Sequence, residues 1–154
     1  MKLSRIALLG AVPLSLGAAT LALAHEDHVH STNPLVDARQ GGMTMMVANL
    51  SLLGKATEGE GSIKRAAFPA SGLAAFARSL PTLFGPETAN VEGTKAKSEI
   101  WTDPEGFAEQ TNAFMATTEE LQEAAAADDR EAFTAALDKT KAACKACHDV
   151  YRAN

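Results

Sequence analysis

The sequence predicts an all-α domain built as an antiparallel up-down-up-down four-helix bundle. Apolar residues recur at helical spacing in four stretches after residue 33. No stretch alternates apolar and polar residues with a period of two and is bounded like a strand. Short turns between neighbouring stretches indicate antiparallel helices. The chain has 154 residues, 46% of them hydrophobic, which is enough for one such domain.

The first 24 residues have the pattern of a secretory signal peptide. Lys2 and Arg5 precede an apolar run that closes with an A-x-A motif. A membrane anchor is the alternative, but the run is near the lower length limit for a span and contains Pro13. We therefore expect residues 1–24 to be removed and the mature protein to be periplasmic, without stable membrane insertion.

Removal of this segment makes an acidic chain more acidic. The formal net charge goes from −5 to −7, because Lys2 and Arg5 are lost and no acidic residue leaves with them. Binding to phosphate backbones needs a basic face, so nucleic acid is not an expected partner.

Residues 25–33 are polar and include His25, His28 and His30. This composition predicts a mobile tail. Imidazole and carboxylate groups crowd together here, so a weak site for a divalent transition metal is the alternative. The bundle itself is placed at residues 34–154.

The first helix is predicted from Pro34 to about Lys55. Asn33 can cap it, and proline suits the first helical position. Gly41 and Gly42 each cost up to ~1 kcal/mol inside a helix. We expect close approach by another helix or by a flat ligand to compensate.

A second helical stretch runs from Ser62 to about Leu80 and contains Pro69, which has to kink the helix or restart it. Residues 82–101 show no periodicity and are predicted to form a packed crossover loop. The expected buried face of the second helix is Leu73, Phe76, Ala77 and Leu80.

Two further helices complete the bundle. Asp103-Pro104-Glu105 has the order of cap, proline and acid that begins a helix, and Asp128 with Glu131 resembles a capping box for the last one. The expected inner face of the third helix is Phe107, Thr111, Phe114, Thr118, Leu121 and Ala125. That of the last helix is Phe133, Leu137, Lys141 or Cys144, His148 and Tyr151.

The last helix carries the pattern C-x-x-C-H at Cys144, Cys147 and His148, with the only two cysteines of the chain. This is the attachment site of a c-type haem, in which the thiols form thioethers and the imidazole binds iron. On a helix the three side chains share one face. The sequence therefore predicts one covalently bound haem c per chain, whose flat apolar surface would fill a core with only 5% aromatic residues.

Three other interpretations of this motif are weaker. A thioredoxin-like redox pair needs a βαβ context, which the sequence does not show. A structural zinc site needs four ligands, and this cluster supplies three. A disulfide is possible in an oxidising compartment but gives no role to His148.

The chain resembles the class II cytochromes c, the cytochrome c′ and c-556 group. A single C-x-x-C-H motif near the end of a four-helix bundle is their arrangement, and the resemblance covers most of residues 34–152. Further matching segments are Arg39-Gln40-Gly41-Gly42-Met43, Pro81-Thr82-Leu83-Phe84 and Thr94-Lys95-Ala96-Lys97-Ser98-Glu99-Ile100-Trp101.

The resemblance implies roles for two arginines. Arg39 sits where the family has an arginine that reaches a haem propionate, as guanidinium–carboxylate pairing favours; a solvated surface arginine is the alternative. Arg152 matches a basic residue near the proximal imidazole, or is an ordinary cation at a helix C-terminus. Relatives of this kind are often homodimers through their first two helices.

By the same resemblance, Met43 lies over the distal face of the haem. If its sulfur binds iron, the haem is low-spin and suited to electron transfer with redox partner proteins. If it only packs there, the iron is five-coordinate and admits small gases such as nitric oxide. Our first expectation is the electron carrier, with gas capture or sensing as the alternative. Enzymatic activity is not expected, because His148 is the only histidine outside the tail.

Overall fold

Four long helices and one short one account for most of the described chain. In the computed structural model, which describes residues 31–153, they are α1 (Pro34–Thr57), α2 (Ala67–Ser79), α3 (Glu99–Thr102), α4 (Pro104–Ala127) and α5 (Arg130–Tyr151). The four long helices form the antiparallel bundle, which confirms the predicted fold class. The predicted signal peptide and residues 25–30 of the tail, with all three tail histidines, lie outside the described residues. Within residues 31–153 no helix is long and apolar enough to cross a membrane.

Helix α1 begins where the sequence predicts. The side chain of Asn33 accepts hydrogen bonds from the backbone N–H groups of Leu35 (2.9 Å) and Val36 (3.4 Å), and Pro34 opens the helix. These contacts satisfy two of the N–H groups that a helix leaves unpaired at its start.

The two glycines of α1 have different surroundings. A Cβ atom added to Gly42 would lie 1.9 Å from Cε2 of Phe76 on α2, whereas nothing lies within 4 Å of one added to Gly41. The expected close approach of another helix is therefore confirmed at Gly42, where a phenyl ring occupies the space of the missing side chain.

Helix α2 is shorter than predicted. It begins at Ala67, after a 3-10 turn from Lys64 to Ala66, so the predicted start at Ser62 is wrong. Pro69 lies in the first turn, where its missing N–H has no helical partner to lose. Before the turn, the Ile63 N–H (2.7 Å) and the Ser62 hydroxyl (3.1 Å) donate to Oδ1 of Asp128, which ties this segment to the α4–α5 turn.

The crossover from α2 to α4 contains more local structure than its aperiodic sequence indicates. Two 3-10 turns, Leu80–Phe84 and Pro86–Thr88, are followed by α3. Helix α4 then starts as predicted, with the Asp103 carboxylate accepting from the Gly106 N–H at 3.1 Å. All six residues of its predicted inner face are buried.

Helix α5 begins one residue later than the predicted capping box. Asp129 is the cap and accepts from the Ala132 N–H at 3.0 Å. Asp128 instead ends α4 in the left-handed conformation, with φ of 61°. Of the predicted inner face, Phe133, Leu137 and Tyr151 are buried, Cys144 is half-buried, and Lys141 and His148 are exposed.

The buried apolar residues form two clusters. The main core lies between the four long helices, with Leu53, Leu73, Leu121 and Phe133 among its fully buried members. A smaller group, here called the end cluster, consists of Ile100, Phe107 and Tyr151, with Phe84, Ala96, Trp101 and Cys147 packed against it. The end cluster fills the space between α4, the crossover and the last turn of α5.

Candidate functional site

The C-x-x-C-H motif occupies the last two turns of α5 and touches both clusters. Cys144 packs against the main core and Cys147 against the end cluster. Both cysteines are half-buried free thiols, and His148 is exposed. The helix thus presents the two sulfurs on its partly covered side, while the imidazole remains accessible.

Partial desolvation shifts the pKa of all three groups, including that of the largely exposed His148. It raises the pKa of Cys144 to about 11, with a further contribution from the neighbouring Cys147, and it also raises the pKa of Cys147. It lowers the pKa of His148, as does the nearby Arg152, while Asp149 opposes the shift. The thiols are therefore protonated at neutral pH, and the imidazole is favoured in the neutral form that can ligate a metal.

The end of α5 is fastened to the crossover. The Lys97 N–H donates to the Tyr151 carbonyl (3.0 Å), and the Ala153 N–H donates to the Lys95 carbonyl (2.8 Å). These contacts form an isolated antiparallel bridge between Ala96 and Arg152. The Tyr151 hydroxyl also donates to Oδ2 of Asp103 at 2.8 Å.

Arg39 is buried on α1, with only 3% of its surface exposed. Its Nη1 donates to the Thr88 hydroxyl (3.1 Å) and the Leu83 carbonyl (3.4 Å), and its Nη2 donates to the Thr94 hydroxyl (2.9 Å). Its guanidinium also lies 4.6 Å from the centre of the Phe84 ring. Arg39 is therefore not the solvated surface residue that the sequence left open.

None of the ion pairs within residues 31–153 includes Arg39. Burial lowers its pKa, as expected for a cation surrounded by neutral hydroxyl and carbonyl groups. A buried charge is usually paired with an opposite charge. The environment of Arg39 thus suits an anionic group such as a haem propionate.

A row of aromatic rings extends from Arg39 to the end of α5. Phe84 and Phe107 meet edge to face with ring centres 5.0 Å apart, and Phe107 and Tyr151 do so at 5.3 Å. Trp101 Nε1–H donates to the Phe84 carbonyl at 3.0 Å. The propionate candidate and the helix of the proximal histidine candidate are therefore parts of one packed region.

The three methionines clustered in α1 have different environments. Met46 is buried, Met45 is 64% exposed, and Met43 is half-buried against the main core. Cys144 packs against the same core. Met43 and Cys144 of the attachment motif therefore both pack against the main core.

Arg152 is exposed beside the proximal histidine candidate. It lines a shallow cavity of about 470 Å³ together with Lys97, His148, Asp149 and Ala153. Its backbone N–H donates to the His148 carbonyl at 3.2 Å. This position is compatible with both interpretations of Arg152.

The residues of this region fit a covalently attached haem. Two free thiols, one imidazole favoured in its neutral form and one buried cation without a carboxylate are the groups that such a cofactor requires. Thr88 and Thr94, which hold Arg39, were not among the predicted site residues. Thr94 opens one of the segments that carry the resemblance, whereas no sequence signal marks Thr88.

Comparisons with known proteins agree with this chemistry. The profile of the family described as Cytochrome C′ matches residues 34–152. A cytochrome c′ from Cereibacter sphaeroides is 34% identical over 153 residues, covering 96% of this chain and 97% of that protein. A cytochrome c′ from Alcaligenes xylosoxydans xylosoxydans is 34% identical over 124 residues, covering 76% and 91%.

Solved structures share the fold as well. The cytochrome c′ of Thermochromatium tepidum has a TM-score of 0.72 and 31% identity, covering 78% of this chain and 95% of that one. A cytochrome c′ with unusual ligand-controlled dimer dissociation has a TM-score of 0.70 and 31% identity, with the same coverage. A ferrous variant of cytochrome c prime from Alcaligenes xylosoxidans with bound nitric oxide has a TM-score of 0.70 and 30% identity, covering 78% and 94%.

Proposed function

Because this chain belongs to the cytochrome c′ family of covalent haem c proteins, we propose that it binds nitric oxide or a similarly small gas at its haem. The observation that carries this proposal is the nitric oxide bound in a solved relative of the same fold at 30% identity. The electron carrier, our first expectation, has less specific support. Capture or sensing of the gas is the resulting role, and catalysis is not part of it.

The attachment motif supplies the covalent and axial contacts. The thiols of Cys144 and Cys147 would hold the porphyrin as thioethers, and the neutral imidazole of His148 would bind its iron. When bound, the haem supplies an iron that can take a diatomic ligand. Arg39 would pair with a propionate, which would supply the counter-charge that its buried guanidinium lacks among residues 31–153.

Met43 would lie beside the haem without binding its iron. Its half-buried thioether packs against the main core, whose buried members are apolar. His148 is the only histidine in residues 31–153. A small uncharged gas fits such surroundings, whereas proton transfer to a bound substrate would need a distal acid–base group.

The site of action that we propose is the periplasm. It rests on the export signal at residues 1–24 and on the haem-attachment motif, since bacteria attach haem to C-x-x-C-H outside the cytoplasm.

The experiment that tests gas binding compares the mature protein with Met43→Leu, which keeps the apolar volume but removes the sulfur. We expect both proteins to show a broad high-spin absorption spectrum and to bind nitric oxide in a titration. Met43→Ala should bind the gas faster than Met43→Leu, because it removes the side chain that covers the distal face.

The opposite result would be ligation of the haem iron by Met43. A sharp low-spin spectrum with a methionine-to-iron charge-transfer band, lost in Met43→Leu, would establish Met43 as a ligand and restore the electron carrier. Slow or absent uptake of nitric oxide by the wild-type protein would accompany it.

The partner protein that we propose is a second copy of this chain, bound through α1 and α2. Met45 and Leu52 lie seven residues apart on α1 and are 64% and 57% exposed, and Phe68 on α2 is 88% exposed. Leu52 and Phe68 also line a groove of about 540 Å³ between these helices. A solved relative is a dimer that dissociates under ligand control, and an exposed apolar face beside a groove suits self-association.

A further inference from the structure

Residues 94–97 of the crossover, here called the strap, contact both helices that carry the proposed haem site. On the α1 side, Nη2 of Arg39 donates to the Thr94 hydroxyl at 2.9 Å. On the α5 side, the strap forms the two backbone hydrogen bonds to Tyr151 and Ala153. Four consecutive residues therefore connect Arg39 to the end of the helix that bears His148.

The hydroxyl of Thr94 joins these two sets of contacts. Besides Arg39, its Oγ1 accepts from the Ala96 N–H at 3.1 Å, a local contact that fixes the backbone two residues ahead. Ala96 is the residue that bridges to Arg152. One oxygen thus sets both the position of the guanidinium and the conformation of the strap.

Lys97 adds a side-chain contact to the same connection. Its Nζ donates to the Val150 carbonyl at 2.6 Å, in the last turn of α5, and pairs with Glu99 at 3.3 Å. This carbonyl is one of the last in α5, which have no acceptor role within the helix. The strap therefore satisfies backbone groups two and three residues after His148.

Helices α1 and α5 have no direct polar link at this end of the bundle. Within residues 31–153, the hydrogen bond between them is that of Arg130 Nη1 to the Ala56 carbonyl (2.9 Å), which joins the end of α1 to the start of α5. Arg39 lies in the second turn of α1 and His148 in the last turn of α5. The polar connection between these two residues passes through the strap.

We propose that Thr94 is a positioning residue that couples the place of Arg39 to the orientation of the last turn of α5, and thereby to His148. The inference deepens the proposed function and rests on it, because it assumes a haem held by Arg39 on one side and His148 on the other. Loss of the hydroxyl removes the hydrogen bond of Nη2, while Thr88 and Leu83 still hold Nη1, and it loosens the strap at the same time.

The experiment uses the haem-loaded mature protein with Thr94→Ala, Thr94→Ser and the control Thr82→Ala. Thr82 is an exposed threonine whose hydroxyl donates to the Ser79 carbonyl of its own turn. Amide hydrogen exchange is measured at residues 95–97 and 151–153, together with the haem absorption spectrum and the reduction potential.

Thr94→Ala should raise exchange about tenfold in both segments, the factor that loss of one hydrogen bond to a charged group implies, and should shift the spectrum and the potential. Thr94→Ser retains the oxygen and should stay within about twofold of wild type in exchange, as should Thr82→Ala. Faster exchange confined to residues 95–97, with residues 151–153 and the haem unchanged, would overturn the proposal.

If Thr94→Ala does not yield folded haem protein, Lys97→Met tests the strap from the α5 side. Exchange should rise at residues 94–96 as well as at 151–153. The control is Lys139→Met, because Lys139 is an exposed lysine of α5 that pairs with Glu120 outside the strap and the attachment motif, and it should change neither. Unchanged exchange at residues 94–96 in Lys97→Met contradicts the coupling. Failure of the protein to bind nitric oxide while these exchange effects appear would reject gas binding and leave the strap in place.

Discussion

Arg39 shows how a single residue can link folding to cofactor binding. Its guanidinium is buried among hydroxyl and carbonyl oxygens and the face of Phe84. Each contact orients the charge, but none of these neutral groups carries the opposite charge. A haem propionate would supply it, so the same contacts that place the arginine prepare it for an anion.

We predict that Arg39→Lys lowers the free energy of unfolding by about 1–3 kcal/mol, because an ammonium cannot reach three partners that a planar guanidinium spans. Chemical denaturation of the haem-loaded protein measures the change. Arg78→Lys is the matched control, since Arg78 is an exposed residue paired with Glu119 at 3.4 Å. That substitution should stay within about 0.5 kcal/mol, and equal losses in both variants would contradict the prediction.

Among single residues, the sequence predicts the attachment motif but could not predict the hydrogen-bond partners of Arg39. Covalent chemistry fixes the spacing of Cys144, Cys147 and His148, so a short pattern reveals them. Thr88 and Thr94 contact Arg39 from 49 and 55 residues away. No local periodicity records such a distant contact, so only the folded chain identifies these two threonines.

Among the elements, α1 depends on a glycine at one position and not at its neighbour. The ring of Phe76 occupies the space beside Gly42, whereas the space beside Gly41 is open. The cost of two glycines in a helix is thus offset at Gly42 by close packing of α1 against α2. Gly41 has no such compensation in the described chain.

Alanine at these two positions should have opposite effects. Gly41→Ala should stabilise the protein by up to about 1 kcal/mol, the gain in helix propensity. Gly42→Ala should destabilise it by about 1–2 kcal/mol, because overpacking against the ring exceeds that gain. Thermal and chemical unfolding measure both changes.

A second variant checks the cause. Adding Phe76→Leu to Gly42→Ala should recover part of the loss, since it removes the ring atoms that crowd the new methyl group. A Gly42→Ala variant as stable as Gly41→Ala would show that the ring moves aside without cost and would contradict the prediction.

The extent of a helix could be predicted from the sequence where the spacing of its buried positions and its capping residue indicate the same boundary. The inner face of α4 matches completely because its apolar and threonine positions keep a regular spacing over about five turns. The start of α2 was misplaced because Ser62 and Ile63 bond to Asp128, 66 and 65 residues away, instead of starting the helix. The start of α5 was predicted one residue too early, because Asp128 and Asp129 are adjacent and either aspartate can cap a helix.

At the scale of the molecule, the outer face of α1 and α2 is the dimer interface that we propose. We predict that the mature haem protein sediments as a dimer and that Phe68→Glu shifts it toward monomer, because a buried carboxylate without a partner opposes association. Analytical ultracentrifugation over a range of concentrations measures the shift.

Ala126→Glu is the control for the effect of added charge, since residue 126 is exposed on α4 and does not line the groove between α1 and α2. It should leave the sedimentation unchanged. A monomeric wild-type protein, or a Phe68→Glu variant that dimerises as tightly as wild type, would exclude this face as the interface.

The covered thiols of α5 have a consequence for the order of assembly. A thiolate reacts faster than a thiol, and in the folded chain without haem, burial raises the pKa of Cys144 to about 11 and also raises that of Cys147. In a chain that packed before haem attachment, both cysteines would be protonated thiols and would react slowly with the porphyrin vinyl groups. We therefore expect the haem to be attached during biosynthesis, before the last helix packs. The native bundle would then assemble around a cofactor that is already covalently bound.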